Sequence, residues 1–282
     1  MRFSERIGMR STKVEIQIDS MDEELKNGLW NVLTLFVTGP MKENSQVIDE
    51  SNHKDLIETL WLSFFKEPID KIPIFTDSIY SELRNRFFSW DYLQTYDFID
   101  FVCSIKRVPF DPSELTEAFN IILKNELSGY RFIKGYLAPI TNDFEINEVE
   151  KAIEFTSEND FRGVNIHLKE ALNKLSNKQN PDYRNSIKES ISAVESICIQ
   201  ITNDPNTDLS IVLKKLSSKV LIHGALQQGF KNLYGYTSNG DGIRHSLMDE
   251  SNLDQEDAIY MLVTCSSFVN YLISKWNKVN LG

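Results

Sequence analysis

Hydrophobic positions recur with helical spacing over most of this chain. In LKNGLWNVLTLFV, Leu25, Leu29, Val32, Leu33 and Phe36 fall on one face, and Ser20-x-x-Glu23 just ahead has the form of a capping box. The aromatic-rich stretches DLIETLWLSFF, SIYSELRNRFFSW and DYLQTYDFIDFVCSI continue the pattern. DPSELTEAFNIILKNELSG carries a full set of helix signals, with Asp111 as cap, Pro112 in the first turn and Gly129 as stop. One segment breaks the period: STKVEIQID alternates Val14, Ile16 and Ile18 over polar partners and predicts a short strand.

The texture changes at YRFIKGYLAPITNDFEINEVEKAIEF. Residues 130–133 and 136–140 flank Lys134-Gly135 as a small hairpin or an extended linker, and Asn147-x-x-Glu150 then opens a new helix. A boundary near residue 145 follows, giving domains 1–145 and 146–282. The second half reads as a helical bundle. HLKEALNKL is one helix. NPDYRNSIKESISAVESICIQI is a longer one, started by Asn180 and Pro181, with Ile187, Ile191, Val194, Ile197 and Cys198 as its apolar stripe. LSIVLKKLSSKV and IHGALQQGFKNLYGY add helix, and LDQEDAIYMLVTCSSFVNYLISKW is a long final helix capped near Ser251 or Asn252. The expected fold is mostly α, an N-terminal helical domain with a short strand or hairpin followed by a C-terminal helical bundle.

Composition narrows the function. A chain of 282 residues suits two cores better than one. A net charge of −11 argues against a general duplex-binding protein, so any nucleic acid must be held by a local basic patch. Cys103, Cys198 and Cys265 are too scattered for a disulfide framework or a zinc site, and their apolar contexts read as buried thiols in a reducing compartment. No apolar run is long enough to cross a bilayer, so the expected location is cytoplasmic, away from membranes. His53, in DESNHKD, reads as a solvated loop residue, and His223, in KVLIHGAL, as a satisfied core histidine. No pair of histidines has metal-ligand spacing and no glycine-rich phosphate loop is present, so neither metal nor cofactor is expected.

Two Arg-His arrangements carry the candidate chemistry. In GDGIRHS, Arg244 and His245 are adjacent after a glycine turn; in FRGVNIHLKE, Arg162 and His167 are separated by four residues. An imidazole can move a proton to or from a ribose 2′-OH or a leaving oxygen, and a guanidinium can grip the phosphate between them. Arg162 and His167 stand as the alternative pair, with His167 expected to face the core or a neighbouring helix. Arg184, Asn185 and Glu189 lie close together on one helix, where Arg184 and Lys188 share a face. They form either a solvated face or an RNA-contacting one. Asp241 is placed to order the glycine turn, and Tyr234 and Tyr236 either stack on bases or pack between helices.

NPDYRNSIKESISAVESIC followed by LYGYTSNGDGIRHSL resembles the HEPN domains that end AbiJ-type abortive-infection proteins. FSERIGMRSTKVEIQIDSMDEELKNGLWNVL resembles one of the N-terminal domains joined to them. The resemblance implies a phage-defence effector with a sensor or regulatory N-terminal domain. Its HEPN-like helical domain would be a homodimeric, metal-independent endoribonuclease leaving 2′,3′-cyclic phosphate ends. It also implies cellular RNA as substrate, tRNA among the candidates, and a phage-derived trigger or regulatory protein as partner. The family signature is an Arg, then four to six intervening residues, then the His. Here Asn239 and Gly240 fall where that Arg should be, and Arg244 is adjacent instead. A non-catalytic HEPN-fold module for dimerisation or for binding nucleotide or RNA, regulating a partner, is the alternative.

Overall fold

A carboxylate begins the first helix among the described residues, in place of the Ser20 hydroxyl expected from the sequence. In the computed structural model, which describes residues 15–176, 182–204, 209–239 and 253–280, Asp22 Oδ1 accepts from the Leu25 N–H at 2.9 Å. Helix α1 (Glu23–Leu33) runs into a π-helical turn, Thr34–Thr38, and then α2 (Gly39–Asn44). A 3₁₀ turn at Ile48–Glu50 precedes α3 (Lys54–Thr59), which passes into a second π-helical turn, Leu60–Phe65. Another 3₁₀ turn, Ile69–Lys71, leads to α4 (Thr76–Ser89). Helices α5 (Tyr92–Ser104) and α6 (Pro112–Asn125) follow, capped by Asp91 and Asp111.

These helices close over an apolar core containing Leu25, Leu29, Leu33, Leu56, Leu60, Trp61, Ile79, Phe87, Ile99, Leu115 and Phe119. Full burial of each such side chain stabilises by about 1.5–3 kcal/mol. Phe64 packs edge-on or tilted against Phe65, Trp90, Phe98 and Phe101, so much of the aromatic content of this half is core. Gly28 lets α1 approach α6, since a Cβ there would lie 2.5 Å from Ile122 Cγ2.

The expected strand around residues 14–18 does not form; Val14 lies outside the described residues. Gln17 makes one isolated parallel bridge, to Ser128, and its neighbours Ile16 and Ile18 are 53% and 51% exposed. The polar residue is the buried one because it is hydrogen-bonded through every polar group it has. Its N–H donates to Leu127 O (2.8 Å), its C=O accepts from Gly129 N (2.8 Å), its Nε2 donates to Glu126 O (2.6 Å), and its Oε1 accepts from Asp22 N (2.7 Å). Gly129 is therefore not the helix stop: α6 has already ended at Asn125, and Leu127 takes the left-handed conformation with φ 55°. What Gly129 provides is room, because a Cβ there would sit 3.0 Å from Ile18 and 3.1 Å from the Gln17 carbonyl.

Strands β1 (Arg131–Ile133) and β2 (Tyr136–Ala138) form an antiparallel hairpin. Its Lys134-Gly135 turn has positive φ at both residues, 47° and 88°, the geometry that matches strand twist. The Asn120 side chain stands in as a further partner for β1, donating to Phe132 O and accepting from Phe132 N, both at 2.8 Å.

The chain divides into two compact units, Met1–Leu137 and Ala138–Gly282. The second begins with α7 (Asp143–Glu158), capped by Asn142, whose Oδ1 accepts from Phe144 N at 2.9 Å; the helix is thus under way before Asn147 and Glu150. It continues with α8 (Arg162–Ser176), α9 (Tyr183–Thr202), α10 (Leu209–Lys219), α11 (Gly224–Asn239) and α12 (Gln255–Asn280). Asp182 caps α9, while the expected starts at Asn180 and Pro181, and at Ser251 or Asn252 for α12, lie outside the described residues. Helix α9 packs between α8 and α12, and α7 lies along α12. Ile187, Val194 and Ile197 of α9 are buried, as are Leu168 and Leu172 of α8 and Leu262 and Val269 of α12. Asn270 ties α12 to α7 by donating to Glu148 O (3.0 Å) and Oε2 (2.9 Å). Among the described residues no helix is long and apolar enough to cross a membrane.

Candidate functional site

Helices α8 and α9 run antiparallel in a register set by small residues. Buried Ser186 donates from Oγ to Ala171 O at 2.8 Å, and a Cβ on Gly163 would stand 2.8 Å from Ser196 Oγ. That close approach brings His167 opposite Glu189, with Nδ1 and Oε2 2.7 Å apart. The pair is accessible, at 36% and 21% side-chain exposure. A carboxylate on Nδ1 fixes the ring and favours the tautomer with the proton on that nitrogen, leaving Nε2 as the basic atom.

Arg162 does not join it. Five residues along a helix rotate the side chain by roughly 140°. The Arg162 guanidinium, 88% exposed, instead bonds Asp160 through Nε at 2.9 Å.

Arg184 and Asn185 occupy the first turn of α9. Asn185 is held by its cap: Asp182 Oδ1 accepts from Asn185 N at 3.1 Å and Oδ2 from Asn185 Nδ2 at 2.7 Å. Arg184 is half-buried and Lys188, one turn on, is exposed. Glu189 faces α8 and takes no part in this turn. The neighbouring Tyr183 hydroxyl has its pKa raised by burial and then by the charges of Glu256 and Asp254. Asp241, Arg244 and His245 precede that start and lie outside the described residues.

The other histidines depart from expectation. His53 is buried at 2% exposure, and among the described residues neither ring nitrogen has a hydrogen-bond partner; burial pushes its pKa down to about 4. His223 is exposed, outside any helix core, with Nδ1 accepting from Ala225 N at 3.2 Å at the start of α11. Cys198 and Cys265 are buried and Cys103 only partly so; burial raises all three thiols, Cys265 to about 12. Among the described residues no three His, Cys, Asp or Glu side chains converge as metal ligands.

The model of the family described as AbiJ N-terminal domain 4 matches residues 1–154. That is more than half of the chain, which therefore belongs to the AbiJ abortive-infection family. An anti-phage role comes with that membership. No curated protein and no solved structure matches.

Proposed function

We propose that this protein is an abortive-infection effector whose C-terminal unit is a HEPN-type, metal-independent RNA endonuclease, working as a homodimer. The N-terminal unit would sense a phage-derived trigger or hold the nuclease in check. The observation that supports this reading is the packing of α9, which carries Arg184, along α12. In the sequence α12 follows the Gly-Asp-Gly-Ile-Arg-His segment. In this reading His245 takes the proton of a ribose 2′-OH and the oxygen attacks the adjacent phosphorus. The 5′-oxygen of the next nucleotide then leaves with a proton, and a 2′,3′-cyclic phosphate remains. Arg244, with Arg184 in reserve, holds the phosphate and its developing charge. Asp241 orders the turn, and His167 with Glu189 is a helix-joining pair.

Incubating the purified chain with total RNA, with and without EDTA, tests the activity. Cleavage is expected in both, and His245→Ala should abolish it in a folded protein. Arg244→Lys should lower cleavage more than RNA binding, because it keeps charge but loses the planar fork. A folded His167→Ala variant that is inactive while His245→Ala still cleaves would move the site to α8. One observation favours a non-catalytic dimerisation or RNA-binding module: Asn239 and Gly240 occupy the place of the signature Arg. RNA binding without cleavage would decide for it. Light scattering should give twice the 32.6 kDa chain mass.

A further inference from the structure

A recess of about 220 Å³ opens in the N-terminal unit between the Ile48–Glu50 turn, α3 and residues 69–74. Ile48, Ile69, Ile72 and Ile74 form its apolar side. Ile48 is buried, but Ile69 and Ile74 are 46% and 64% exposed, so branched aliphatic surface is left facing water at a concavity. Phe75, next along the chain, is also exposed. Clustered apolar surface of this kind rimmed by polar groups marks an interaction site more often than scattered single residues do.

Asp49, Lys54 and Glu58 line the polar side. The Lys54 ammonium is 2.9 Å from Asp49 but 3.8 Å from Glu58, so it bonds the first and stands beyond hydrogen-bond reach of the second. Two carboxylates against one ammonium leave this rim with an excess negative charge, on a chain whose net charge is −11. Both fields favour a cationic ligand. Size decides between a metabolite and a side chain. Whole-ligand pockets span about 300–1,000 Å³, and this recess falls below that range.

We propose that the recess docks a peptide segment of a basic partner protein. One branched aliphatic side chain packs on the isoleucines, and an adjacent lysine or arginine pairs with Glu58 and Asp49. The site stands independently of the nuclease reading, since it lies in the other unit and involves none of the residues assigned to cleavage.

Fluorescence anisotropy with the full chain and three labelled pentapeptides at low salt tests it. Gly-Lys-Ile-Lys-Gly should bind with a Kd of about 10 μM to 1 mM. Gly-Lys-Gly-Lys-Gly, lacking the aliphatic anchor, and Gly-Glu-Ile-Glu-Gly, reversing the charge, should each bind at least about tenfold more weakly. Ile74→Asp and Glu58→Lys, both at surface positions that leave the core intact, should each weaken the first peptide by a similar factor. Equal binding of all three peptides, no saturable binding of the first, or unchanged binding by both variants would overturn the proposal. RNA cleavage by the same variants should be unaltered, which separates this site from the nuclease.

Discussion

Protonating His53 would put a charge where, among the described residues, no hydrogen-bond partner receives it. With a folded pKa of about 4 against an ordinary value of 6.5, the unfolded chain binds more protons between those two pH values. Stability from this group is therefore complete above about pH 6.5 and is lost as the pH falls towards 4, by about 3 kcal/mol in all. His53→Leu should remove that dependence, so its unfolding free energy, compared with that of the unsubstituted chain by urea titration, should gain steadily from pH 6.5 to 4. A constant difference across that range would show that His53 titrates in the fold just as it does in the unfolded chain. The polar run DESNHKD hides the burial, yet Leu56 and Ile57, three and four residues on, are both buried and share its face. That helical spacing was the legible signal. The His167–Glu189 pair is different. Its partners are 22 residues apart on separate helices, and only the depth of Gly163 and Ser186 packing decides that they meet.

Elements were legible where their signals are local. Asp111-Pro112 marks the start of α6, and Lys134-Gly135 marks the hairpin, because both act through the φ values of adjacent residues. Caps chosen between competing polar residues were not. Asp22, not Ser20, starts α1 because the Gln17 side chain holds the Asp22 N–H, a contact that depends on a distant loop. Asn142 starts α7 before its apolar period becomes visible, since Phe144 in the first turn is 83% exposed and the first buried residue of the helix is Val149. Close helix approach is equally hidden. In isolation Gly28→Ala would favour helix by about 1 kcal/mol, but the new Cβ would meet Ile122 Cγ2 at 2.5 Å. That atom sits next to the α6 backbone and has little freedom to move. Overpacking of about 1–3 kcal/mol should prevail, lowering thermal stability. Pairing Gly28→Ala with Ile122→Ala should cost less than the sum of the two single changes, and strict additivity would argue against the contact.

At the scale of the whole molecule, the family match and the structural division end at different places. The match runs to residue 154, whereas the units part after Leu137 and α7 packs along α12 in the second. A fragment of residues 138–282 should therefore melt cooperatively by circular dichroism. One beginning at residue 159 loses α7, exposes the α12 face that α7 covers, and should melt broadly or aggregate. The Gln17 clip has its own consequence, in time rather than in energy. It joins positions 109 residues apart, so ordering it early would close a long loop before the helices between could repay that entropy. Its bonds should be absent from the folding transition state. Gln17→Ala, read by stopped-flow tryptophan fluorescence, should leave the refolding rate nearly unchanged and speed unfolding about tenfold. Refolding slowed by the same factor would mean that the clip forms early. A bond made last and broken first sets the lifetime of the folded N-terminal unit without setting how fast it is made.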